Sequence, residues 1–272
     1  MPEAPLAPVR KLSEVLRASE PRPTQGASAE EQRKYAKRFA DNMARLIAHG
    51  FRKRFKKTFV GMLPDDQGRG LESLSRSSRG PKRLDVNFST PQLGLGLGIS
   101  LKSVHIRESG GAQGYTHNRK RNDEELRVES SGYHARQPYA VMVAVVFLPY
   151  DSCDDARGQN PSSFGKWVHY LRPLAGRGLG DDDARYERVF IGLYDPSGSG
   201  MAFFDVSTPP PKRGRPRALL SFTEFLDQVK HTYDARNHTE FTWADEAPPP
   251  YGEQDEPTIH GEDETPPPYG AS

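Results

Sequence analysis

One cysteine in 272 residues, Cys153, excludes an intrachain disulfide framework and any zinc site ligated by several thiolates within one chain. Long apolar runs are also missing. The longest, Ala140 to Leu148, is far too short to span a bilayer, and the opening MPEAPLAPVRKL has no apolar signal core, so no membrane association and a cytoplasmic location are expected. Lysine and arginine are absent from Thr239 to Ser272, a stretch that holds nine acids. The net charge of +2 therefore hides an uneven distribution, because residues 1–238 carry 38 Lys and Arg against 27 Asp and Glu, which is +11. A body this basic favours a polyanionic partner, whose counterions are released when lysine and arginine neutralise phosphates.

What is present is a core-forming middle between two polar ends. Residues 1–29 are rich in Pro, Ala, Ser and charge and read as a flexible N-terminal arm, although KLSEVLRASE has the makings of two helical turns that dock elsewhere. Residues 30–238 form the expected globular domain. Residues 239–272 form an acidic, proline-rich tail, poor in aliphatics, that cannot bury enough surface to offset its ordering entropy. The tail repeats itself as APPPYG at 247–252 and TPPPYG at 265–270. Such PPPY segments adopt polyproline II and fit aromatic-lined grooves, so a protein partner is one reading and a solubilising tail the other.

From Glu30, the residues Tyr35, Phe39, Met43, Leu46, Ile47, Phe51 and Phe55 recur at helical spacing and predict one long amphipathic helix. Its last turns carry Arg52, Lys53, Arg54, Lys56 and Lys57, either as cations favoured at a helix C-terminus or as a DNA phosphate contact. The segment Asp65 to Lys82 reads as a polar loop. RLDVNFS and GLGISLKSVHIRE then read as paired strands, with Gly94, Gly96 and Gly98 allowing close approach of a neighbouring backbone or helix. Thr116 to His134 predicts a polar helix with a narrow seam at Leu126 and Val128, and PYAVMVAVVFLP a strand buried on both faces. Strands at Arg188–Tyr194 and Met201–Val206 follow, then a helix over 221–233 opened by a capping box of Ser221 and Glu224. His134, Arg136 and Gln137 fall where the polar helix ends and are read as caps, with a phosphate contact as the alternative. The pair His117 and Asn118, with His134 beyond, lacks the hairpin that a His-Asn-His nuclease site requires.

Metal-assisted phosphodiester cleavage needs carboxylates around a divalent cation and a nearby amine. Asp85 stands at the head of one predicted strand, and Ser100 and Lys102 share one face of the next by the two-residue strand period. An Asp followed by a strand with x-Lys, in α-β-β-α-β order, resembles the core of the PD-(D/E)XK nuclease superfamily over roughly Glu30 to Pro149. The resemblance implies an α/β, restriction endonuclease-like fold: a mixed sheet flanked by helices, with disordered termini. It also implies Mg²⁺ or Mn²⁺ as cofactor and a role in restriction or phage defence. Ser100 stands where the motif has Asp or Glu. Some restriction enzymes of this superfamily share Ser-x-Lys and take the glutamate from the following helix. Here that helix offers Glu125, the first choice, and Glu129, the second, one turn apart. The implied site is thus Asp85 and Glu125 on the metal, with Glu129 in reserve, Lys102 on the attacking water and Ser100 in support.

Arg213-Gly214-Arg215-Pro216 is similar to the AT-hook core that lays arginines in a narrow minor groove, and otherwise serves as a generic phosphate contact. The competing reading for the whole chain is a non-catalytic DNA-binding or adaptor subunit that kept the fold. The oligomeric state is left open, a dimer included.

Overall fold

Helix capping and strand alternation account for most of the architecture. The computed structural model describes residues 7–77, 80–91, 94–107, 114–116 and 118–237, which belong to one compact unit, Met1–Asn237. The acidic tail with its PPPY repeats, and His117, lie outside the described residues.

The N-terminal arm is ordered further than its composition suggests. Helix α1 (Leu12–Ser19) buries Leu12, Val15, Leu16 and Ser19 against helix α2 (Ala29–Arg54). The Ser19 carbonyl accepts a hydrogen bond from Arg38 Nε at 2.9 Å, and its hydroxyl one from Asn42 at 3.3 Å. Ser28 and Glu31 form the capping box that starts α2, and Tyr35, Phe39, Met43, Ile47 and Phe51 make its buried stripe.

Strands β1 (Ser73–Ser77) and β2 (Gly80–Leu84) form a hairpin inside the segment expected to be loop. Leu74 is the one aliphatic residue of β1 and it is exposed, so the alternation that would have marked the strand is missing. Asp85 is the break in an otherwise continuous run into β3 (Val86–Thr90), which pairs antiparallel with β4 (Gly94–Ser103). Helix α3 (Arg119–His134) leads into β5 (Val141–Pro149), followed by α4 (Ser163–Leu171), β6 (Arg188–Tyr194), β7 (Met201–Asp205) and α5 (Phe222–Arg236).

The five-stranded sheet runs β3-β4-β5-β6-β7, parallel across β4/β5 and β5/β6 and antiparallel at both edges. Along β5 the odd residues Val141, Val143, Val145 and Phe147 join the core under α1, α2 and α5. The even residues Met142, Ala144, Val146 and Leu148 join the core under α3 and α4. Two covered faces therefore explain the unbroken apolar run. The result is a mixed α/β protein with helices on both sides of one mixed sheet. No helix among the described residues is long and apolar enough to cross a membrane.

Candidate active site

The strand period sorts β4 cleanly. Leu97, Ile99 and Leu101 enter the α2 core, while Ser100 and Lys102 meet α3. Pairing of β3 with β4 begins at Val86↔Ile99, and Asp85, just before it, supplies an acceptor to the ladder from its side chain. The Leu101 amide donates to Asp85 Oδ2 at 2.7 Å. From α3, Glu129 Oε1 accepts a hydrogen bond from Ser100 Oγ at 2.8 Å. One turn earlier, Glu125 Oε2 accepts from Lys102 Nζ at 3.2 Å, and its other oxygen from Arg121 Nε at 2.7 Å. Ser100, Lys102, Glu125 and Glu129 thus meet along one strand–helix contact, and Asp85 is bound to the backbone of the same strand. Their roles differ from the expected ranking: Glu129 takes the place beside Ser100, and Glu125 fixes Lys102. The i, i+4 spacing put both on one face, but which of the two reached Ser100 depended on how far α3 slides along β4.

Electrostatics separates the carboxylates. Burial pushes Asp85 up to about 7; the Leu101 amide and Lys102 oppose the shift, and the Glu129 charge adds to it. Burial also raises Glu129, against Lys102 and the Ser100 hydroxyl. Burial would raise Glu125 too, but its hydrogen bonds and charge pairing with Arg121 and Lys102 bring it below the usual range. The Tyr133 hydroxyl is buried with no hydrogen-bond partner among the described residues, and burial, with the Glu129 and Asp85 charges, raises its pKa. Tyr186 beneath them donates to the Leu126 carbonyl at 2.9 Å. The site opens into a concavity of about 460 Å³ lined by Lys82, Arg83, Lys102, Glu124, Glu125, Val128 and Glu129.

Among the described residues no three His, Cys, Asp or Glu side chains come together as a ready metal cage. What the site offers is two half-buried carboxylates, Asp85 and Glu129, with the Glu129 charge adding to the proton affinity of Asp85. A pair of this kind suits Mg²⁺, which commonly keeps waters and substrate phosphate in its shell and takes one or two carboxylates from the protein. The unpartnered Tyr133 hydroxyl nearby fits a hydrated ligand set.

The basic residues chosen from the sequence do not gather here. Arg52 is bound into the fold, donating to the Met62 and Pro64 carbonyls at 2.6 Å each and to Asp66. Arg54 pairs in bidentate fashion with Asp227 of α5, at 2.6 and 2.7 Å. Lys53, Lys56 and Lys57 remain exposed at the end of α2. That end packs through Phe55 and Phe59 near Phe88 and Tyr233, on the sheet face opposite α3. The Arg-Gly-Arg-Pro loop is docked on the body. The Gly214 amide donates to the Cys153 carbonyl at 3.1 Å, Pro216 is buried, Arg213 donates to the Gly158 carbonyl and Arg215 lies 4.4 Å over the Tyr150 ring. In this docked form it is not the free extended strand that a minor groove would take.

Two expected caps make contacts away from the helix end. His134 is buried, its Nε2 3.2 Å from Glu187 and its Nδ1 3.0 Å from the Asp183 carbonyl. Gln137 Oε1 accepts the Leu95 amide at 2.9 Å, in the space left by the missing side chain of Gly94. Arg136 is exposed, and Asn118, with φ of 56°, precedes α3 without a side-chain cap. Sequence reasoning missed Lys82 and Tyr133. Lys82 lay in a stretch taken for loop. Tyr133 carried only the generic signal of an aromatic at seam spacing, seven residues after Leu126. No protein-family model matches the chain, and no curated protein or solved structure does either.

Proposed function

We propose that this protein is a divalent-metal-dependent DNA nuclease of the PD-(D/E)XK kind, in its Ser-x-Lys form. The hydrogen bond from Ser100 to Glu129 carries the reading, because it brings a helix carboxylate to the strand position where the motif has its acid. The order of α2, the antiparallel pairs β1–β2 and β3–β4, α3 and a β5 parallel to β4 supports the restriction endonuclease-like assignment. Asp85 and Glu129 would hold Mg²⁺ or Mn²⁺, which when bound polarises a phosphoryl oxygen and acidifies water. Ser100 orients Glu129. Glu125 positions the Lys102 ammonium, which would donate to the attacking water or to a phosphate oxygen.

The purified chain should nick or linearise plasmid DNA with Mg²⁺ or Mn²⁺ and be silenced by EDTA. Asp85→Asn, Glu129→Gln and Lys102→Met should each lower the rate about 10²-fold or more. Glu125→Gln should lower it less, because its carboxylate acts through Lys102. A chain that binds DNA but never cuts it with either metal refutes the enzyme. That outcome favours the non-catalytic DNA-binding module, a reading supported by Asp85 being engaged with Leu101 and Lys102 being neutralised by Glu125.

A further inference from the structure

The wall of the concavity opposite α3's acids includes a lysine that the proposed chemistry does not use. Lys82 on β2 is two residues before Leu84, and Leu84 belongs to the α3-side core, so the strand period sends Lys82 toward α3 as well. Its ammonium donates to the Val128 carbonyl of α3 at 3.1 Å and faces no carboxylate at ion-pair distance among the described residues. An ammonium has three donors, so two are left. Its charge acts on Glu129, and it lines the same concavity as Lys102.

Gly132 marks the room made for this side chain. It lies inside α3, where glycine is disfavoured relative to alanine. A Cβ at that position would stand 3.2 Å from Lys82 Nζ and 3.5 Å from Ser77 Cβ. The missing side chain lets the ammonium lie against the helix, one turn beyond Val128. Lys82 and Lys102 thus come from separate strands to one pocket, with Glu129 at its wall.

We infer that Lys82 is a second substrate-binding cation, which holds a phosphate of the polynucleotide across the pocket from Lys102. The identity of the anion rests on the nuclease reading above. The acids would hold the metal, Lys102 would serve the reacting centre, and Lys82 would grip a phosphodiester without taking part in proton movement. It would therefore govern binding more than turnover.

The test uses the full chain, a fluorescein-labelled DNA duplex and Ca²⁺ in place of Mg²⁺, with affinity measured across a salt series. Lys82→Met should weaken binding several-fold at low salt and reduce the slope of log K against log salt by about 0.9, one phosphate. Lys82→Arg should keep the slope. Gly132→Ala, which displaces the ammonium without removing it, should fall between. A Lys82→Met chain with the wild-type slope and melting temperature overturns the inference, as does a wild-type chain that does not bind the duplex. Plasmid cleavage separates the two proposals. If wild type cuts, Asp85→Asn does not, and the Lys82→Met slope is unchanged, the nuclease reading stands and Lys82 is only a helix contact. If the slope falls but wild type never cuts, the phosphate contact stands and the catalytic reading fails.

Discussion

Asp85 shows how one side chain joins fold and function. Its carboxylate completes the edge of a β-ladder by accepting the Leu101 amide, yet burial beside Glu129 makes its charge unwelcome. A carboxyl that titrates near 3.8 when unfolded and at about 7 when folded binds its proton more tightly in the native state. Stability at this group is therefore fullest below the unfolded value, declines as pH rises through that window and stays lost above it. In chelator, Asp85→Asn should match wild type below about pH 4 and exceed it by on the order of 2 kcal/mol at about pH 8. Partial exposure of Asp85 to water keeps this gain below that of a fully buried carboxyl. Thermal melts across that range read the effect. Adding Mg²⁺ should raise the wild-type melting temperature and leave the variant unmoved, and equal responses would remove Asp85 from the metal site. That Ser100 and Lys102 share a face was legible from strand spacing, and the resemblance added Asp85. The choice of Glu129 over Glu125 was not, because two residues one helical turn apart have the same angular signature.

At the level of elements, the strongest periodic signals became the centre of the sheet and the helices on the face opposite the site. The capping boxes at Ser28 and Ser221 begin α2 and α5, and the double-sided run of β5 lies at the centre of the sheet. The β1–β2 hairpin went unread because its order comes from backbone pairing and contact with α3 instead of its own apolar alternation. Helix α4 was missed for a different reason. Its nine residues bury Phe164, Trp167, Val168 and Leu171, a stripe too short to stand out before its neighbours are known. Packing within the sheet is tight enough to test by one atom. Gly192 of β6 lies opposite Phe147 and Phe203, and a Cβ there would come within 2.4 Å of the Phe147 ring. Gly192→Ala should destabilise the fold by about 3 kcal/mol through overpacking, read as a lower urea midpoint at unchanged slope. A loss under about 0.5 kcal/mol would mean that the ring has room to turn, which close packing disfavours.

For the whole molecule, charge is the property that sequence gives most directly. The +11 on residues 1–238 and the nine acids after them are opposite in sign, so with nucleic acid as the proposed partner the acidic tail would compete for the basic body. Deleting residues 244–272 should tighten duplex binding at low salt and lose that advantage as salt screens both contacts. Unchanged affinity at low salt would show that the tail does not compete. Composition, tail, helix and strand periods and the Asp–Ser-x-Lys spacing were all determined by the chain itself, since each depends on neighbours within a few turns. Only the tertiary structure decided which basic residues stayed at the surface, which glutamate met Ser100 and that Lys82 shares its pocket. Arg52, Arg54 and the Arg-Gly-Arg-Pro loop were drawn into contacts with carbonyls, Asp66, Asp227 and Tyr150 that lie far along the chain or across the fold. Such partners are fixed by how layers stack and slide, and no local pattern of residues encodes that distance.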